Sequence, residues 1–208
     1  MATEPSDSHI QALVFDIGQV ILHLTPHLAA SALARGMSMT PERILAAIEA
    51  DPQLRDFQEG RLTPEEWHQH LTGQLSLRLD FDQFSDAWNR ALGQLILSEN
   101  LFADLTAQYR LALLSNTDPI HVLHMGTRFN FFRYFPVRVF SCDVGVSKPA
   151  PAIYKHVIRA LGVEPQRILY IDDVAEYVEA GRRVGLQAYG FQGASALGAE
   201  LRGRALLR

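Results

Sequence analysis

Four short apolar runs frame this chain, and each ends in polar residues. They are Ala12-Leu13-Val14-Phe15 before Asp16, Leu111 to Leu114 before Ser115-Asn116, Val137 to Phe140 before Ser141, and Ile168 to Ile171 before Asp172-Asp173. Runs this short and this apolar predict strands buried on both faces, as in a parallel sheet. A fifth candidate is Gln187 to Phe191, preceded by Gly185. Between the later runs the period changes to that of a helix. Ile153, Val157, Ile158 and Leu161 share one face, and Glu176 to Val184 and Leu197 to Leu207 behave similarly. Alternating strand and helix implies right-handed crossovers and a doubly wound α/β fold with helices on both faces of the sheet.

The stretch 24–98 has helical signals and no strand pattern. Thr40-Pro41 and Thr63-Pro64 read as N-caps followed by proline at the first helical position, and Glu66 completes a capping box with Thr63. Phe84, Trp88 and Leu92 fall at helical spacing within Asp82 to Leu92. The expected organisation is an α/β core of residues 8–23 and 99–208, with an all-helical cap of residues 24–98 inserted after the first strand. Trp67 and Trp88 are expected in the core of that cap.

Composition narrows the class. The 208 residues are 48% apolar with a net charge of −4, which gives length for one good core and a smaller module. The basic residues are dispersed, and Lys148 and Lys155 are the only lysines, so no nucleic-acid partner is expected. A single cysteine, Cys142, rules out an internal disulfide framework and fits a reducing compartment. The polar, acidic stretch Met1 to Asp7 is unlike a signal peptide, and no apolar run reaches membrane-spanning length. The expectation is a cytoplasmic protein with no membrane partner, present as a monomer or homodimer.

In a parallel sheet every strand's carboxyl end opens on the same edge, where open α/β sheets bind ligands. That edge would gather Asp16, Ser115, Asn116, Lys148, Asp172 and Asp173. Carboxylates there suit a hard cation, and magnesium typically joins a few carboxylates to a substrate phosphate. A lysine beside them would neutralise phosphate charge and hold a nucleophile ionised.

With these motifs in order, the chain resembles the haloacid dehalogenase-like (HAD) hydrolase superfamily. Asp16-Ile17-Gly18-Gln19-Val20 matches the first motif, Ser115 the second, Lys148 in Ser147-Lys148-Pro149 the third, and Asp172-Asp173 with Gly181 and Gly185 the fourth. Within the superfamily it looks most similar to bacterial phosphatases of the α-D-glucose-1-phosphate phosphatase type, which carry glycine at the Gly18 position and a small helical cap. The resemblance implies a magnesium-dependent phosphatase acting on a small phosphorylated metabolite, a sugar phosphate among the candidates, through an aspartyl-phosphate. Carried over, Asp16 is the nucleophile, Ser115 and Asn116 bind the phosphoryl oxygens, and Lys148 pairs with Asp16 and the phosphoryl group. Asp16, the backbone carbonyl of Gly18, Asp172 and Asp173 would hold Mg2+.

The chain departs from the family's pattern at two positions. Gly18 stands where a second aspartate usually protonates the leaving alkoxide, and losing a positioned acid/base typically costs about 10²- to 10⁴-fold in rate. An easily leaving substrate or low turnover is the implied consequence. Tyr177 stands where related phosphatases often carry asparagine. Two rival functions follow from the same motifs: a 2-haloacid dehalogenase, whose members also lack the second aspartate, and a catalytically degenerate phosphate-ligand or partner-binding protein. A phosphonatase would need a cap lysine for a Schiff base, and no lysine precedes Lys148. His68 and His70, two residues apart, point different ways on a helix and are expected on an exposed face. His121 and His124 share a helical face with no third ligand, and Gln58, Glu59 and Arg61 could reach a substrate from the cap.

Overall fold

A computed structural model describes residues 9–207, so the acidic stretch Met1 to Asp7 lies outside the described residues. Seven strands form among the described residues: β1 (Ala12–Phe15), β2 (Leu22–Leu24), β3 (Leu92–Leu95), β4 (Arg110–Ser115), β5 (Val137–Phe140), β6 (Ile168–Asp172) and β7 (Gln187–Gly190). Five make one parallel sheet in the order β5-β4-β1-β6-β7.

The continuous apolar character of the central strands has a direct cause, since each strand feeds two cores. Leu13 and Phe15, Leu111 and Leu113, and Leu169 and Ile171 pack on one face against Phe102 and Leu105 of helix Glu99–Thr106, Met125 and Leu201. Ala12 and Val14, Ala112 and Leu114, and Ile168 and Tyr170 pack on the other face, against Ile153, Tyr154, Val157 and Leu161 of helix Pro151–Leu161. The period-2 direction of strand side chains makes that division. The chain leaves β1 toward β4 and β5, then crosses to β6 and β7 on the other side. The reversal opens a crevice at the carboxyl ends of β1 and β6, where ligands bind in such sheets.

Between β1 and β4 lies a helical insertion with its own buried cluster, which includes Leu33, Ile44, Phe57, Trp67, Leu71, Phe84 and Trp88. Its helices start as the capping signals predict. Thr63 accepts from the Glu66 amide while the Glu66 carboxylate accepts from the Thr63 amide at 2.8 Å, and Asp80 and Gln83 form a second capping box. Caps of this kind contribute about 1 kcal/mol each. Phe57 stacks on Trp67 at 5.2 Å, and Trp88 meets both rings edge-on.

The insertion is not wholly helical. β2 and β3 pair antiparallel where the chain enters and leaves it. The helix expected to run to Leu92 ends at Trp88, passes through a 3₁₀ turn at Asn89–Ala91, and continues as β3. His68 and His70 are half-buried rather than exposed. They take different partners, His68 Nε2 the Leu79 carbonyl at 2.9 Å and His70 Nε2 the Asp51 carboxylate at 2.6 Å, so they are not a metal pair.

Candidate active site

The central strands carry their last residues to one point. Asp16 follows β1 directly, its amide bonded to the Ile171 carbonyl of β6 at 2.9 Å, and Asp172 ends β6. Lys148, from the loop before helix Pro151–Leu161, bridges them: its Nζ donates to Asp16 Oδ1 at 2.8 Å and to Asp172 Oδ2 at 2.7 Å. The Lys148 side chain is 1% exposed, Asp172 0% and Asp16 10%, so one buried cation faces two carboxylates.

Burial pushes the Asp16 carboxyl up to about 6; Lys148 opposes the shift and Asp172 adds to it. Burial alone would lower the Lys148 ammonium, but the two carboxylates outweigh it and its affinity for a proton rises above the ordinary lysine value. The lysine therefore stays charged.

Other side chains hold this trio. Asn116 spends both ends of its carboxamide on the Lys148 backbone, Nδ2 to the carbonyl at 3.0 Å and Oδ1 from the amide at 2.8 Å. That pairing fixes the lysine loop. Ser115 ends β4 and lines the cavity, as Asn116 does. Tyr177 lays its ring 4.9 Å from Lys148 Nζ, a cation–π contact that an asparagine could not make. Tyr170 donates its hydroxyl to Asp172 Oδ2, and the Val174 amide donates to Oδ1 at 2.8 Å. Sequence reasoning missed Tyr170, although its place two residues before Asp172 puts both side chains on one face of β6.

Ligand oxygens of Asp16, Asp172 and Asp173 all lie within 4.8 Å of one another. Asp173 sits at the surface end of the cluster, where desolvation by its neighbours and the adjacent Asp172 raise its pKa. An all-oxygen donor set of carboxylates fits Mg2+ and not a thiolate- or imidazole-seeking ion.

A cavity of about 430 Å³ opens above these residues and runs into the helical insertion. On its wall is a second buried network that sequence reasoning did not assemble. Asp118 caps helix Pro119–Arg128 by accepting from the His121 amide at 3.0 Å, and its carboxylate also accepts from Trp88 Nε1 at 3.1 Å. His121 places Nδ1 2.8 Å from that carboxylate and Nε2 3.2 Å from the Trp88 carbonyl. With an acceptor at each ring nitrogen, the imidazolium is favoured. Burial opposes it, Asp118 overrides burial and raises the His121 pKa, and the same pairing lowers that of Asp118.

The raised histidine stabilises the fold fully below its unfolded pKa of about 6.5 and loses that contribution as pH rises through its folded value. The lowered aspartate contributes above about 3.9 and loses its share as pH falls through its own folded value. His121→Gln should therefore cost about 2 kcal/mol near pH 5.5, and less at pH 9. Thermal denaturation of both proteins across that range checks this; a cost that grows with pH would refute the charge assignment.

Glu59 is buried at 4% exposure on the face of the insertion toward the sheet, held by Arg55 Nε at 3.0 Å and by Arg61. Ser141 Oγ donates to the Gln58 carbonyl at 2.6 Å beside it, so this turn docks on the core. His23 and His27 are exposed. Burial pushes the half-buried Cys142 thiol up to about 12, which leaves it unreactive.

The comparisons with known proteins agree on one fold. The family model described as haloacid dehalogenase-like hydrolase matches residues 10–185. The chain is similar to D-ribitol-5-phosphate phosphatase of Bacteroides thetaiotaomicron, 24% identical over 188 residues that cover 86% of this chain and 91% of the relative. A HAD family enzyme of Bacteroides thetaiotaomicron, solved in complex with magnesium and inorganic phosphate, superposes with a TM-score of 0.80 at 23% identity over 89% of this chain and 96% of that one. An L-2-haloacid dehalogenase of Xanthobacter autotrophicus superposes with a TM-score of 0.64 at 20% identity, covering 93% and 82%.

Proposed function

The chain belongs to the haloacid dehalogenase-like hydrolases, and on that premise we propose that it is a magnesium-dependent phosphatase of small phosphate monoesters. The observation that carries this reading is the buried Lys148 bridge between Asp16 and Asp172, with Asp173 within ligand reach at the mouth of the cavity. A dehalogenase displaces halide from carbon and has no need of three clustered carboxylates, so the cluster favours phosphoryl chemistry.

In this reading Asp16 attacks phosphorus, the P–O bond to the alcohol breaks, and water hydrolyses the aspartyl-phosphate to return the free carboxylate. Lys148 holds Asp16 ionised and neutralises charge on the transferring group, and Ser115 binds phosphoryl oxygens. Asp16, the Gly18 carbonyl, Asp172 and Asp173 would hold magnesium, which would supply charge neutralisation to the phosphoryl group. Residues 24–98 act as a cap that shapes the leaving-group side. Phosphate release from a panel of monoesters, abolished by chelator and restored by magnesium, tests the proposal. Chloride release from 2-chloropropionate in chelator, with no phosphatase activity, would overturn it.

Gly18 makes a separate expectation. A Cβ at this position would lie 2.7 Å from Leu24 Cδ1 and 3.9 Å from Asp16 Oδ2, so an aspartate requires Leu24 to move. Gly18→Asp alone should gain little. Combined with Leu24→Ala, it should raise kcat on a primary-alcohol phosphate by about 10²-fold, because a poor leaving group gains most from a general acid. On p-nitrophenyl phosphate the gain should be only a few-fold. An equal gain on both would show that leaving-group acidity does not compensate for the missing carboxylate.

A further inference from the structure

The cavity wall carries information about the leaving group that the reaction centre does not. Its floor is Asp16, Lys148 and Ser115, but beyond them it passes between helices Pro26–Leu33 and Pro41–Glu49, and there Leu33, Leu45, Ile48, Leu54 and Met125 line it.

Several polar side chains above the floor are already committed to protein partners. Asp118, His121 and the Trp88 indole bond one another, and Gln19 Nε2 donates to the Leu24 carbonyl at 3.2 Å. Exposed Glu49, half-buried Gln58 and buried Thr117 complete the polar lining. A sugar or polyol entering this space would surrender water from its hydroxyls and find few donors or acceptors, whereas an alkyl or aryl group would replace water against leucine and isoleucine.

From this wall we infer that the substrate class is phosphate monoesters of apolar alcohols, in preference to polyol and sugar phosphates. The inference rests on the phosphatase reading above and concerns only the group that leaves. It departs from the sugar phosphate that the resemblance suggests, because the apolar wall, drawn from the insertion and from Met125 of helix Pro119–Arg128, is what meets the leaving group.

A matched pair tests it. n-Pentyl phosphate and D-ribitol 5-phosphate share a five-carbon chain and a primary-alcohol leaving group, and differ in four hydroxyls. With magnesium present, kcat/KM for the pentyl ester should exceed that for the ribitol ester by about 10- to 100-fold. From methyl to pentyl phosphate, kcat/KM should rise up to roughly fourfold per methylene, the fold-change that about 0.8 kcal/mol per buried CH2 gives. Leu45→Gln and Leu54→Gln, at half-buried wall positions, should flatten that series.

Turnover of ribitol 5-phosphate as good as or better than the pentyl ester, or a series flat in chain length, overturns the inference and leaves the phosphatase reading intact. Failure to release phosphate from any of these esters or from p-nitrophenyl phosphate overturns that reading, and the inference with it.

Discussion

Asp16→Asn should lower kcat for magnesium-dependent phosphate release by at least about 10⁴-fold, the scale on which removal of a nucleophile is felt. Its melting temperature should equal or exceed that of the unaltered protein. The activity loss follows from chemistry, since a carboxamide cannot form the acyl phosphate. The stability follows from charge. Asp16, Asp172 and Lys148 together carry a net −1 in a space where the side chains are at most 10% exposed. Burial already presses Asp16 toward its neutral form. Asparagine removes that surplus charge and keeps the shape, while the Lys148–Asp172 pair remains at 2.7 Å. A destabilising residue that cannot be spared for function is the expected signature of a catalytic site. Steady-state assays beside thermal melts in chelator would check both halves. Retention of a tenth of the activity would place the nucleophile elsewhere.

The core was legible in the sequence because each central strand is buried on both sides. Leu13, Leu111 and Leu169 on one face, and Val14, Leu114 and Tyr170 on the other, leave no polar position to blur the run. The catalytic cluster was legible because parallel strands end together, so Asp16, Ser115 and Asp172 needed only their places at strand ends. What sequence reasoning missed lies in contacts between elements distant in the chain. The β2–β3 ribbon pairs residues some seventy apart, and Leu92-Gly93-Gln94-Leu95 is too short and too glycine-broken to announce a strand. Gly93 is required there, since a Cβ would come within 2.9 Å of the His23 carbonyl.

Glu59 looks like any surface glutamate until Arg55 and Arg61 close over it. The Asp118–His121–Trp88 network joins a helix cap in the core to a tryptophan of the insertion. Asp118 before Pro119 is an N-cap signal in the sequence, and it points to His121 with Asp118 rather than to His121 with His124.

Lys148→Met should do more damage to the fold than any other single change at this site. It deletes the cation and leaves Asp16 and Asp172 buried with a net −2 between them. Breaking a buried ion pair by removing one partner costs about 3–5 kcal/mol. For a chain of this size that lowers Tm by roughly 6–20 °C. The loss is limited by protonation, because the two carboxylates repel and Asp16, already raised, takes up a proton first. Catalysis suffers twice, through a less ionised nucleophile and through lost neutralisation of the phosphoryl group, so kcat/KM should fall by about 10²- to 10³-fold. Magnesium should restore more of the melting temperature in the variant than in the parent protein, because a divalent cation then does for the carboxylates what the ammonium did. Lys148→Arg separates charge from fit. The ammonium reaches both carboxylates as a point donor, at 2.7 and 2.8 Å, from a loop that Asn116 fixes. The wider planar guanidinium cannot adopt that bridge without moving the loop, so arginine should recover stability in part and activity hardly at all. Full recovery of activity by arginine would show that only the charge matters, and that the position fixed by Asn116 and Tyr177 does not.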